Sequence, residues 1–247
     1  MDEMVMEPRR EKGEKELPPA GLLLVNPAEA AKAERLLEKP GAERRFLFNS
    51  RLFCLPPAPT LPVPPAGGCF VAGPCVGAPM AVLTLEKLIT LGARRIVVYG
   101  WCGSLQPDLA VGDLLLPTWA RSEEGTSAHY PIAGRPESSA RLRRAVAAHL
   151  AGRGFASTDG PLWTTDAPYR ESRAQVVQYA AARISGVDME FAALCTVAAF
   201  RGVELAAVLK ISDLLWQSPW RPGYKDKSFQ KESEKVVRAL IGFCRGE

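Results

Sequence analysis

Histidine is nearly absent from this 247-residue chain. Only His129 and His149 occur, and a zinc site built on several histidines is excluded. The six cysteines (Cys54, Cys69, Cys75, Cys102, Cys195, Cys244) form no C-x-x-C pair and four lie in apolar segments, so reduced, structural thiols are expected, with no metal. No apolar run approaches the roughly 20 residues of a membrane span. The first 19 residues alternate acids and bases where a signal peptide would be apolar; they read as a flexible charged leader to a cytoplasmic protein without a membrane partner. Neither G-x-G-x-x-G nor G-x-x-x-x-G-K-[ST] occurs, which removes the usual support for a nicotinamide or nucleoside triphosphate cofactor; none is expected.

What is present suits one sizeable core: hydrophobic residues make up 47% of the chain, and residues 20–247 read as a single domain. The net charge of +4 is dispersed among acids, so nucleic acid is not an expected partner. Short apolar runs at 21–25, 69–72, 95–99, 111–117 and 205–211 read as strands. Residues 28–38, 78–91, 137–152 and 229–243 read as helices. This alternation predicts an α/β fold with a twisted, mixed and mostly parallel central sheet flanked by helices. Residues 56–68 hold six prolines, too many for an element interior, and predict an exposed connector, a lid or an interface arm.

Chemistry should gather at the strand ends, where open α/β sheets keep their ligands. Glycine-bearing turns are expected at Gly73-Pro74-Cys75-Val76-Gly77 and Gly100-Trp101-Cys102-Gly103-Ser104, where main-chain N–H groups approach a ligand closely; tight turns between core elements use the same residues. Carboxylates follow apolar runs in Val187-Asp188-Met189-Glu190 and Ile211-Ser212-Asp213. From the residues alone, Glu190 also suits a helix N-terminus and Asp213 an N-cap.

Five segments, VVYGWCGSLQPDLAVGD at 97–113, Gly125-Thr126-Ser127, Thr164-Thr165-Asp166, Val187-Asp188-Met189-Glu190 and Ile211-Ser212-Asp213, occur in an order and spacing that resembles the nucleoside phosphorylase and nucleosidase superfamily. That group includes purine nucleoside and uridine phosphorylases and the methylthioadenosine and AMP nucleosidases. The resemblance implies a phosphorylase-like fold, a nucleoside as substrate and a homo-oligomer. It implies that Glu190 accepts hydrogen bonds from the ribose 2′- and 3′-hydroxyls, that Met189 packs beneath the sugar, and that Asp188 supports the site. Asp213, oriented by Ser212, would be the general acid toward a purine N7. Pro168 and Tyr169 would form the wall on which the base stacks, with Arg170 and Arg173 close behind. Cys102, Gly103, Val76 and Gly77 would line the substrate.

The departures from the pattern fall on its anion site. Glu29 stands where the resemblance calls for a phosphate-binding arginine, Val98 replaces a second arginine, and Trp101 replaces a hydroxyl residue. Arg44 or Arg45, with Arg51 as a further candidate, remain to bind inorganic phosphate as co-substrate. The expected activity is therefore cleavage of the N-ribosidic bond of a purine or pyrimidine nucleoside by phosphorolysis to base and ribose 1-phosphate. Its alternatives are hydrolysis, with Glu29 activating water, and nucleoside binding without catalysis.

Overall fold

The computed structural model describes residues 4–38, 41–47, 50–57 and 68–247. In chain order its strands are β1 (Ala20–Leu24), β2 (Glu43–Leu47), β3 (Ser50–Leu55), β4 (Cys69–Gly73), β5 (Arg95–Ser104), β6 (Leu114–Glu123), β7 (Ser157–Thr165), β8 (Gly186–Asp188), β9 (Glu204–Leu214) and β10 (Arg221–Pro222). Its helices are α1 (Pro27–Leu37), α2 (Ala78–Thr90), α3 (Ala140–Ala151), α4 (Arg173–Ala181), α5 (Phe191–Arg201) and α6 (Lys227–Arg245). Most of the proline-rich connector, positions 58–67, lies outside the described residues.

Alternation along the strands builds two cores. In β1, Leu23 faces one side and Leu22 and Leu24 the other; in β5, Ile96 and Val98 oppose Val97 and Tyr99. Helices α2 and α5 cover the first face, and α1, α3 and α6 cover the second. Burial of both faces explains why these strands read as continuous apolar runs. Helix ends follow their local signals. Pro27 opens α1, Ser172 and Gln175 form a capping box on α4, and Gly202, at φ 66°, closes α5 in the left-handed region.

Parallel pairings run through β4, β1, β5 and β9, with β3 and β2 added antiparallel at the edge. Beyond β9 the sheet closes. β9 pairs antiparallel with β6, β6 runs parallel to β7, β7 to β8, and β8 returns antiparallel to β5. Five strands thus form a ring against an open parallel layer, and parallel pairing dominates less than the sequence suggested.

Two sequence boundaries are corrected. The strand expected at 95–99 continues through Ser104, so the segment 100–104 is not a turn but strand, with a bulge between Cys102 and Gly103 where the register with β9 shifts. The strand expected at 111–117 begins at Leu114 and runs to Glu123. The charged segment before β1 is laid against the body. Glu14 pairs with Lys87, Glu7 with Arg201, Lys15 with Glu43, and Leu17 is buried with its N–H donating to the Leu91 carbonyl. The alternating charges that made it read as a leader are the ones that match α2 and α5. No described helix is long and apolar enough to cross a membrane.

Candidate active site

The carboxyl ends of β1, β4, β5 and β9 share one edge because the strands are parallel, and the predicted site residues converge there. Gly77, at φ 85° and with open space beside its Cα, turns the chain into α2 and donates its N–H to Glu190 Oε1 at 2.6 Å. The turn after β4 and the start of α5 are thereby joined across 113 residues of sequence. Burial, reinforced by the charge of Asp188, pushes the Glu190 carboxyl well above the usual carboxylate range.

Asp188 closes β8 and is buried. Its Oδ1 accepts from the Thr164 hydroxyl at 2.6 Å; its Oδ2 accepts from the N–H groups of Phe191 at 2.7 Å and Glu190 at 3.2 Å. Thr164 Oγ1 in turn accepts from Ala192 N–H at 3.1 Å. Asp188 and Thr164 together satisfy the first N–H groups of α5, so Asp188 performs the helix-terminal task that the bare sequence allowed for Glu190. Glu190 occupies the cap position without using its side chain there, and Met189 between them is half-buried.

Cys102 lies within reach of the charges of both Asp188 and Asp213, and its thiol is pushed well up by burial first and by those carboxylates second. All six cysteines are free thiols and five are buried, as expected for core residues. Asp213 is part of β9, not a helix cap. Ser212 Oγ stands 2.6 Å from Asp213 Oδ1 and 3.2 Å from the Cys102 carbonyl; its one proton goes to the nearer acceptor. Asp213 Oδ2 accepts from the Trp220 indole N–H at 2.9 Å. A Cβ at Gly103 would lie 3.2 Å from Asp213 Oδ2 and collide with Leu215 Cδ1, so this position admits the carboxylate only without a side chain.

On the outer side, Pro168 and Tyr169 sit in a short 3-10 turn, Pro168–Arg170, and Tyr169 is 99% exposed. The motifs flanking this wall meet: Asp166 accepts from Gly125 N–H at 2.9 Å, and buried Glu124 accepts from the N–H groups of Thr126 and Ser127. Arg173 is held away from an open role, donating to the carbonyls of Leu215 and Gln217 at 2.6 and 2.9 Å. Two residues here were missed in the sequence. Trp220 arrives from the loop after β9 and carries no local signal. Glu171 follows the wall directly and escaped notice because Ser172 beside it reads as an ordinary helix cap.

The place where the resemblance implies an anion is filled by the chain itself. Glu29 is fully buried, and its Oε1 accepts from Lys32 Nζ and from Trp101 Nε1, both at 2.9 Å. Trp101 is fixed by stacking on Tyr224 and by an edge contact with Phe229. Glu29 is therefore a buried residue of α1 whose Oε1 is engaged, while its Oε2 is buried without a hydrogen-bond partner. Lys210 is buried nearby and donates to the Phe229 carbonyl at 2.9 Å; burial lowers its ammonium to about 8. Arg44 and Arg51 pair with Glu34, and Arg45 donates to Glu43 and to the Lys15 carbonyl. These arginines already have partners within the chain. Among the described residues no group of His, Cys, Asp and Glu is arranged to hold a metal.

Residues 62–243 match the family model of the phosphorylase superfamily. A guanosine phosphorylase of Halorubrum lacusprofundi is 28% identical over 170 residues, covering 67% of this chain and 69% of that protein. A DeoD-type purine nucleoside phosphorylase of Clostridium perfringens is 28% identical over 69% of this chain and 74% of its own length. Among solved structures, a purine nucleoside phosphorylase of Toxoplasma gondii in complex with immucillin-H has a TM-score of 0.77 at 21% identity, covering all of both chains. A uridine phosphorylase of Vibrio fischeri has a TM-score of 0.77 at 20% identity, covering 96% of this chain and all of that one.

Proposed function

This chain belongs to the phosphorylase superfamily, and from that premise we propose that it cleaves the N-ribosidic bond of a nucleoside with water, not phosphate, as the acceptor. The observation that carries the choice of acceptor is Glu29. A buried carboxylate, tied to Trp101 and Lys32, fills the place where the family resemblance calls for phosphate-binding arginine and hydroxyl groups. A phosphate dianion brought there would meet the Glu29 carboxylate, whose partner Lys32 is already engaged by it, and the candidate guanidiniums of Arg44, Arg45 and Arg51 are held by Glu34 and Glu43.

The remaining geometry serves the sugar and the base. Glu190, anchored by Gly77 N–H, holds the ribose hydroxyls, and those bonds strengthen as the ribose gains oxocarbenium character. Asp213 faces the departing base. The names of the relatives favour a second reading, phosphorolysis, and favour purine over pyrimidine as substrate.

The test is release of free base from guanosine, inosine, adenosine and uridine by phosphate-free protein, with and without added phosphate. Release that is indifferent to phosphate supports hydrolysis. Phosphate-dependent release with ribose 1-phosphate formed would establish the second reading, and no release from any nucleoside would remove both.

A further inference from the structure

Residues 215–220 join β9 to β10 as a short hairpin loop, and Asp213 sits at its base. Leu214 pairs with Arg221 and Asp213 with Pro222, while Gly223 N–H donates to the Ser212 carbonyl at 2.8 Å. The loop is fastened from other sides as well. Leu215 N–H donates to the Ser104 carbonyl of β5 at 3.0 Å, and Trp216 packs against the first core. Arg173, at the start of α4 beside the wall turn, donates to the carbonyls of Leu215 and Gln217 at 2.6 and 2.9 Å. From this frame the Trp220 side chain, 54% exposed, reaches back to Asp213 and donates its indole N–H to Oδ2 at 2.9 Å.

Ser212 serves Oδ1, so with the indole in place each oxygen of the carboxylate has a donor. A base that takes its proton from Asp213 must bring a ring nitrogen within hydrogen-bonding distance of one of these oxygens. Ser212 is buried, with its hydroxyl also 3.2 Å from the Cys102 carbonyl. Of the two donors, only the exposed indole can give way without disturbing the core.

Resting on the function proposed above, we infer that Trp220 is a gate on the base site: in the free protein its indole N–H holds the place on Asp213 that the nucleobase must take, and the ring swings aside when a nucleoside enters. Entry then costs the breaking of one charge-assisted hydrogen bond, and the apparent affinity is reduced by the fraction of molecules whose gate is shut. The frame permits the swing. Its ties lie at Leu215, Gln217, Arg221 and Pro222, on either side of the tip, and the loop borders a cavity of about 470 Å³ lined by residues 216–222 into which the ring can turn. Motions of such loops commonly gate substrate entry.

The experiment uses whichever of guanosine, inosine, adenosine and uridine the unaltered protein cleaves best, together with its free base. The chain has five tryptophans, and the indole N–H signal that disappears from a nitrogen-15 correlation spectrum in Trp220→Phe identifies Trp220. Saturating the unaltered protein with the free base should shift that signal to the position of a solvent-exposed indole. Trp220→Phe keeps a ring but offers Asp213 no donor, so KM for the nucleoside should fall by about tenfold, where damage to the site would raise it. A KM that is unchanged or higher in Trp220→Phe, or an indole signal that stays in place in the base-saturated protein, would overturn the gate while leaving nucleoside cleavage intact. Absence of turnover by the unaltered protein on all four nucleosides would instead defeat the proposed function, and the gate with it.

Discussion

At the scale of single residues, the carboxylates at this edge divide their work by hydrogen bonding. Glu29 balances Lys32 in a fully buried pair and also receives the Trp101 indole. Removing one member of such a pair strands the other, so Glu29→Ala should cost about 3–5 kcal/mol in urea denaturation, whereas Glu29→Gln, which still accepts from Trp101, should cost less. Glu190→Gln is the contrasting case. Its amide oxygen still accepts from Gly77, so the melting temperature should hardly move, while kcat/KM on nucleosides falls by about 10²-fold through weaker bonds to the ribose. Glu171 also leaves a mark on stability. Its folded value of about 7 lies above the ordinary 4.5, so the unfolded chain releases this proton at lower pH. Its contribution is complete below about 4.5 and lost as pH rises to about 7. The difference in melting temperature between pH 5 and pH 8 should therefore shrink in Glu171→Gln.

At the scale of elements, the sequence showed the β1–α1 unit, β4–α2, the first half of β5, α3, β9 and α6, because each has an apolar period bounded by proline, glycine or charge. It did not show the β2–β3 hairpin, whose exposed edge carries Arg44 and Arg45 where alternation would need apolar residues, nor α4, whose faces barely differ in polarity. The end of β5 was hidden for another reason. Gly100 and Gly103 look like turn residues, yet in the strand they make room, Gly100 for Val25 and Gly103 for Asp213 and Leu215. Gly103→Ala should thus cost little stability, because the Leu215 tip can rotate, and should reduce turnover more visibly by displacing Asp213; comparing melting temperature with kcat checks this. The carboxylates that gather at this edge of the sheet were legible as the family motifs around Asp188, Glu190 and Asp213. Trp220 and Glu171 were not, because nothing in their local sequence marks them; the Trp220 contact with Asp213 forms only once the loop after β9 folds back.

At the scale of the whole molecule, the segment before β1 lies against α2 and α5 through pairs on the surface, such as Glu7 with Arg201, which also keeps Glu86. Exposed pairs contribute little. Deleting residues 1–12 should lower stability by about 1 kcal/mol or less and leave turnover unchanged, as thermal melts and the base-release assay would report. Ring and open layer share one strand. β5 is bonded to β1, β8 and β9, so its amides can reach solvent only when both parts of the sheet come apart. In deuterium exchange β5 should consequently be the last backbone to exchange, and the floor beneath the nucleoside should stay rigid while the wall at Tyr169 and the loop at Trp220 exchange within the first moments.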